Sequence, residues 1–251
     1  MGHYDDLKGK RVLVTGASRG IGEGIVRAFA EAGARVFFHY RSDPELAARI
    51  VAELPCESHL FRADLSEPGQ LGAMFEEIER VFGGLDCAVN NAGWNHTPRP
   101  LEEINFELYD QLMNLNLKGT LFCCLNEIRL MKGHPGSIIN IGSVHQDTSV
   151  PGRTLYAASK GAIHAMTGQL AVEIGPSGIR INNILPGCIN VSGRSPAPEE
   201  FTGIPLGRYG TPDDVAALCL FLASEDSSFI NGADLVIDGG VQRKLARLIR
   251  H

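Results

Sequence analysis

The chain has 251 residues, 44% apolar and 21% charged, and its 23 Lys and Arg against 29 Asp and Glu leave a net charge of −6. That composition fits one large α/β domain, residues 1–251, with a substantial core, and the negative balance argues against nucleic acid or an acidic membrane surface as partner. No run of about 18 apolar residues is present to span a bilayer, the start MGHYDDLKGKR has no apolar secretion stretch, and six cysteines follow no CxxC or metal-ligand spacing, so a reduced, metal-free, cytoplasmic protein is expected.

A first strand is predicted over residues 11–15, and it runs through TGASRGIG into a helix over 20–32. Glycines at 16, 20 and 22 allow a tight turn and let backbone amides approach a pyrophosphate at the positive end of that helix. The turn residues are Gly16, Ser18, Arg19, Gly20, Ile21 and Gly22. Their G-x-x-x-G-x-G spacing differs from the common G-x-G-x-x-G fingerprint, so by spacing alone the turn is either a cofactor cradle or a plain connection. A second strand over 35–39 leads to Tyr40, Arg41 and Ser42, where an acid would favour NAD(H) by binding the ribose 2′-hydroxyl. Arg41 suits a 2′-phosphate instead, and Arg19 stands where similar NADP-binding proteins place a second positive charge. The expectation is NADP(H) in preference to NAD(H); the alternative is two surface arginines. Asp43 beside Pro44 reads as the cap of a helix over 44–54.

Further strands are predicted at 59–62, 87–90, 137–141, 180–185 and 234–237, alternating with helices at 68–82, 105–131, 153–175 and 212–223. Repeated βαβ units with apolar strands such as SIINI predict a Rossmann fold: a doubly wound parallel seven-stranded sheet with helices on both faces. Ser143 follows the fifth strand, where its hydroxyl can face the crevice and bond a substrate oxygen, or merely cap a turn. Tyr156 and Lys160 are i and i+4 on one helix face. Bringing a tyrosine from about 10 to about 7 takes roughly 4 kcal/mol, and an ammonium about 5 Å away supplies about 3 kcal/mol. The Gly-, Pro- and Ser-rich segment 188–203 is a candidate substrate lid at a strand's carboxyl end. The basic tail 242–251 reads as a solvated or subunit-contacting terminal helix.

The TGASRGIG turn resembles the TGxxxGxG turn of the short-chain dehydrogenase/reductase family, and the resemblance extends along nearly the whole chain. Asn90-Asn91-Ala92-Gly93 is similar to its NNAG motif, Asn116 in NLNLKGT to its helix asparagine, and Ser143 with YAASK (156–160) to its catalytic spacing. Asp64 and Leu65 are similar to its adenine-side pair, and Pro186, Gly187 and Ile189 to its nicotinamide-side turn. The resemblance implies a catalytic set of Asn116, Ser143, Tyr156 and Lys160. It also implies that Asn91, Ala92, Gly93, Tyr156 and Lys160 line the cofactor, and that the protein is a homotetramer or dimer built through the 105–131 and 153–175 helices. The family's threonine after the Pro-Gly turn is replaced by Val191, with Ser192 next.

SVHQ (143–146) and PGCIN (186–190) are similar to segments of bacterial glucose and related sugar dehydrogenases, whereas IPLGRYGTP is as typical of 3-oxoacyl-[acyl-carrier-protein] reductases. The substrate implied is a small alcohol or carbonyl compound, with a sugar or polyol favoured. His145, Gln146 and Trp94 are its candidate contacts, with Asn95 and His96 nearby; all of them equally suit a solvent-facing loop.

Overall fold

In the computed structural model, which describes residues 4–193 and 203–244, seven strands alternate with seven α-helices. They run β1 (Arg11–Val14), α1 (Gly20–Glu31), β2 (Arg35–Tyr40), α2 (Pro44–Glu53), β3 (Ser58–Arg62), α3 (Pro68–Phe82) and β4 (Cys87–Asn90). The chain continues through α4 (Phe106–Met113), α5 (Thr120–Leu130), β5 (Gly136–Ile141), α6 (Thr154–Ile174), β6 (Ile179–Pro186), α7 (Pro212–Ala223) and β7 (Asp234–Ile237). The strands form one sheet in the order β3-β2-β1-β4-β5-β6-β7, parallel at every pairing. The expected Rossmann fold is therefore observed.

The two-residue period of the strands divides the core. Val12, Val14, Val36 and Phe38 pack on one face with Ile25 and Phe29 of α1 and Val215 and Cys219 of α7. Leu13, Phe37, Ile138 and Ile181 face the other way, onto Phe75 of α3, Cys124 of α5 and Ile174 of α6. With apolar side chains needed on both faces, the strands read as continuous hydrophobic runs. The winding reverses between β1 and β4, which opens a crevice at their carboxyl ends, where open α/β sheets take ligands.

One predicted element is divided. The helix expected over 105–131 consists of α4, a π-helical turn at Asn114–Gly119 and α5. Apolar periodicity does not report the change from four- to five-residue hydrogen bonding, and such turns recur at functional sites. Here the turn holds Asn116 fully buried. Most of the expected lid, 194–202, and the tail from 245 onward lie outside the described residues. Among the described residues, no helix is long and apolar enough to cross a membrane, and all six cysteines are free, Cys188 alone of them exposed.

Candidate active site

The glycine turn is clamped to the loop after β4. Asn91 donates through Nδ2 to the carbonyls of Thr15 and Gly16, both at 3.0 Å. The Thr15 hydroxyl accepts from the amides of Asn91 and Ala92, also at 3.0 Å. Gly16 has φ +65°, and a Cβ there would lie 2.9 Å from the Ala92 Cα; a Cβ at Gly22 would lie 2.2 Å from the Gly16 carbonyl oxygen. Only glycine permits this closeness, which leaves the start of α1 facing the crevice with its first amides lacking intrahelical acceptors. Amides so placed can meet a phosphate group. Ser18 is buried beside it and Ile21 half-buried. Neither the role of Thr15 nor the clamping action of Asn91 was legible in the sequence, because each acts on backbone more than 70 residues away.

Where β2 ends, the Arg19 guanidinium donates to the Ser42 hydroxyl at 3.0 Å. Arg41 is exposed and lies 3.9 Å from the Asp64 carboxylate. Asp43 accepts from the Leu46 amide at 3.0 Å, capping α2 as expected. Two arginines and a serine therefore meet where β2 ends. Asp64 is occupied by the Ser66 amide and hydroxyl at 3.0 and 2.6 Å. Leu65 is buried, its carbonyl against Gly119 of the π turn.

Ser143, Tyr156 and Lys160 come together at the carboxyl edge of β5. The Ser143 hydroxyl accepts from the His145 amide at 3.2 Å, so it caps the following turn. The same hydroxyl acts on the Tyr156 phenol in the direction of the phenolate. Lys160 is buried and donates to the Ile141 carbonyl at 2.7 Å, with its Nζ 5.7 Å from the Tyr156 ring centre. Burial draws the ammonium down to about 8. The Tyr156 phenol is pushed up by burial, which outweighs the opposing pull of Ser143 and of the Arg153 charge. The sequence expectation assigned that pull to Lys160. In the structure the groups that draw the phenol down are Ser143 and Arg153, while Lys160 donates to the Ile141 carbonyl.

Asn116 holds the neighbouring loop. Its Oδ1 accepts from the Trp94 amide at 2.7 Å, and its Nδ2 donates to the Trp94 carbonyl at 3.0 Å and to the Ser159 hydroxyl at 3.2 Å. Ser159 in turn donates to the Tyr156 carbonyl at 2.8 Å, so the loop and α6 are joined through two buried side chains. Gly93 lies between Asn116 and Lys160; a Cβ there would be 3.5 Å from Oδ1 of the first and 3.7 Å from Nζ of the second.

Of the candidate substrate contacts, His145 lies edge-on to the Tyr156 ring at 5.7 Å, and Trp94 is more than one-third exposed beside His96. Arg153 donates to the Asn95 side chain and the His96 carbonyl, fastening this loop beside Tyr156. Gln146 is otherwise engaged: it donates to Asp234 at 2.8 Å and accepts from Asn183 at 3.2 Å, so its amide braces β6 and β7. Beyond β6, the Gly187 amide donates to the Ile237 carbonyl at 3.0 Å, and Ile189 bridges to Gly210. Val191 crosses to the glycine turn, 3.1 Å from where a Cβ on Gly20 would stand.

Residues 16–242 match the family model described as Enoyl-(Acyl carrier protein) reductase. The chain is 38% identical over 250 residues to 3beta-hydroxysteroid dehydrogenase 1 of Eggerthella lenta, covering 95% of both chains. It is likewise 38% identical over 253 residues to glucose 1-dehydrogenase of Gluconobacter oxydans, covering 95% of this chain and 94% of that one. A short chain dehydrogenase from Burkholderia cenocepacia J2315, solved in complex with NADP, superposes with a TM-score of 0.87 at 34% identity, over 94% of this chain and 99% of that one. Matches of this length and identity, on one fold, make the chain a member of the short-chain dehydrogenase/reductase family, an oxidoreductase acting on CH–OH groups.

Proposed function

We propose that this chain, acting as a single domain, is an NAD(P)-dependent oxidoreductase that interconverts a secondary alcohol and a carbonyl, with NADP(H) preferred and a sugar or polyol as substrate. The observation that carries the reading is the buried Tyr156 phenol, drawn toward the phenolate by Ser143 and set one helical turn from buried Lys160 at the carboxyl edge of β5. When bound, the nicotinamide cofactor accepts or supplies the hydride and, in its oxidised form, a positive charge beside the phenol. Tyr156 takes the proton from the alcohol oxygen, or returns it to the carbonyl oxygen. Ser143 holds that oxygen and stabilises the charge that develops there. Lys160, half-charged near pH 8, passes the proton onward from the phenol. Asn116 keeps the 94–96 loop against the catalytic helix.

Glycines 16, 20, 22 and 93, with Ser18, Ile21, Asn91 and Ala92, would hold the pyrophosphate and ribose. Asp64 and Leu65 would border the adenine, and Pro186, Gly187 and Ile189 the nicotinamide. Arg19, Ser42 and Arg41 favour a 2′-phosphate, since guanidinium groups recognise phosphate through paired N–H donors. The NADP complex of the Burkholderia relative supports the same preference. A sugar is supported by the polar wall of Asn95, His96 and Arg153 beside Tyr156, and by the likeness to glucose 1-dehydrogenase. Gln146, turned to Asp234, is left out of the substrate contacts. We place the protein in the cytoplasm as a homotetramer or dimer, an assembly supported by exposed Phe106, Tyr109, Phe122, Leu125 and Val172 on α4, α5 and α6; a monomeric sedimentation value would oppose it.

The test is absorbance at 340 nm with NADP⁺ and NAD⁺ over aldoses, polyols and a 3β-hydroxysteroid, and with NADPH over a 3-oxoacyl thioester, against Tyr156→Phe as control. Sugar turnover that vanishes in the mutant supports the reading. Turnover confined to the steroid or the thioester overturns the substrate class and leaves the chemistry intact.

A further inference from the structure

The glycine turn is also held from β2, by a histidine that the reaction does not use. His39 is 2% exposed. The Gly16 amide donates to its Nδ1 at 3.1 Å, and its Nε2 lies 3.0 Å from the Ala63 carbonyl oxygen. A carbonyl oxygen only accepts and an amide N–H only donates, so Nε2 carries the proton and Nδ1 is bare. Burial pushes this ring's pKa down to about 4, which keeps it neutral at neutral pH. The charged groups around it are Asp64, beyond β3, and Arg41, which faces Asp64. The His39 carbonyl accepts from the Ala17 amide at 2.9 Å, so one residue receives two consecutive amides of the turn.

Gly16 has neither a side chain nor a restricted φ to set its own conformation. Its amide is fixed by His39 and its carbonyl by Asn91. Without Nδ1, that part-buried amide loses its acceptor, and the peptide entering the turn is released to seek another orientation.

We infer that His39 is a positioning residue for the dinucleotide: its bare Nδ1 sets the plane of the peptide between Thr15 and Gly16, and thereby the direction in which the first amides of α1 face the pyrophosphate. This rests on the proposed cofactor site. The role belongs to binding, so it acts on cofactor affinity and leaves the proton chemistry of Tyr156 alone.

The test compares wild type with His39→Leu, which fills the space without an acceptor, and His39→Asn, whose Oδ1 can stand where Nδ1 does. NADPH dissociation constants are read by fluorescence, alongside kcat at saturating cofactor and the thermal midpoint. His39→Leu is expected to weaken NADPH about tenfold, ~1.4 kcal/mol, with kcat within about twofold. His39→Asn is expected to recover most of that affinity, although it too loses the Ala63 bond. In wild-type enzyme labelled with ¹⁵N-histidine, long-range ¹H–¹⁵N spectra are expected to show His39 protonated at Nε2, with Nδ1 as a hydrogen-bonded acceptor. The spectra decide the matter with His39→Asn if His39→Leu does not fold. His39→Leu binding NADPH like wild type, His39→Asn losing as much as His39→Leu, or a ring protonated at Nδ1 each overturns the inference. A wild-type chain that binds neither NADPH nor NADH overturns the cofactor reading beneath it.

Discussion

Glu127 is a carboxyl group in the wrong solvent. It projects from α5 with no exposed surface, takes a hydrogen bond at 3.0 Å from Asn90 Nδ2, and has no cation beside it to offset its charge among the described residues. Asn90 also donates to Asn140 at 3.0 Å, and Asn140 to Thr167 at 3.0 Å. Glu127 Oε1 and Asn90 Oδ1 are buried with no partner among the described residues. Burial therefore raises the carboxyl from its ordinary 4.5 to about 8. Between those two values the folded chain holds a proton that the unfolded chain has released. Stability from this group is thus fully present below about 4.5 and is lost as pH rises through about 8. At about 1.4 kcal/mol per pH unit, the loss has a ceiling of ~5 kcal/mol; relaxation around the charge makes about 2 kcal/mol the lower expectation.

Glu127→Gln keeps the acceptor for Asn90, adds an N–H that can meet Asn90 Oδ1, and does not titrate. Thermal midpoints of both proteins would be measured from pH 5 to pH 8.5. A chain of this size moves by about 2–4 °C per kcal/mol, so the variant is expected to gain about 5–15 °C over wild type across that range. Lys160 and His39 titrate in both proteins and cancel from the difference. A gap that does not change with pH would refute the reasoning.

Tyr156→Phe is expected to lower kcat by about 10²–10⁴-fold, the usual worth of a general acid–base group, while NADPH fluorescence titration gives an affinity close to wild type. Arg19→Ala and Arg41→Ala are expected each to shift the NADP⁺ to NAD⁺ ratio of kcat/KM toward NAD⁺ by about 10–100-fold, the value of a charge-assisted bond to phosphate; an unchanged ratio in both would remove the 2′-phosphate reading. Lys160→Met is expected to abolish turnover yet melt no lower than wild type at pH 7. The buried ammonium titrates near 8 rather than 10.5, so the unfolded chain binds more protons between those values and wild-type stability rises with pH across them. The variant's advantage, at most ~3 kcal/mol, should therefore shrink toward pH 10, as calorimetry over that range would register.

The sequence by itself determined the βαβ alternation, the parallel sheet and the residues that end near its carboxyl edge. Each of these is local: strands buried on both faces are mostly apolar, glycines at 16, 20 and 22 mark a turn, and Tyr156 and Lys160 share a helix face through spacing alone. The NNAG and YAASK motifs were visible because their residues are neighbours in the chain. Only the tertiary structure decided what holds those motifs in place. The π turn at Asn114–Gly119 leaves no mark in apolar periodicity. Gln146 became a brace for Asp234, from 88 residues away, and the pull on the Tyr156 phenol passed from Lys160 to Ser143 and Arg153. His39 and Glu127 read in sequence as an ordinary strand residue and an ordinary helix residue. Their states depend on how much water the surrounding elements exclude and on which distant backbone groups meet them. Burial and long-range pairing exist only once the sheet and both helical layers have closed.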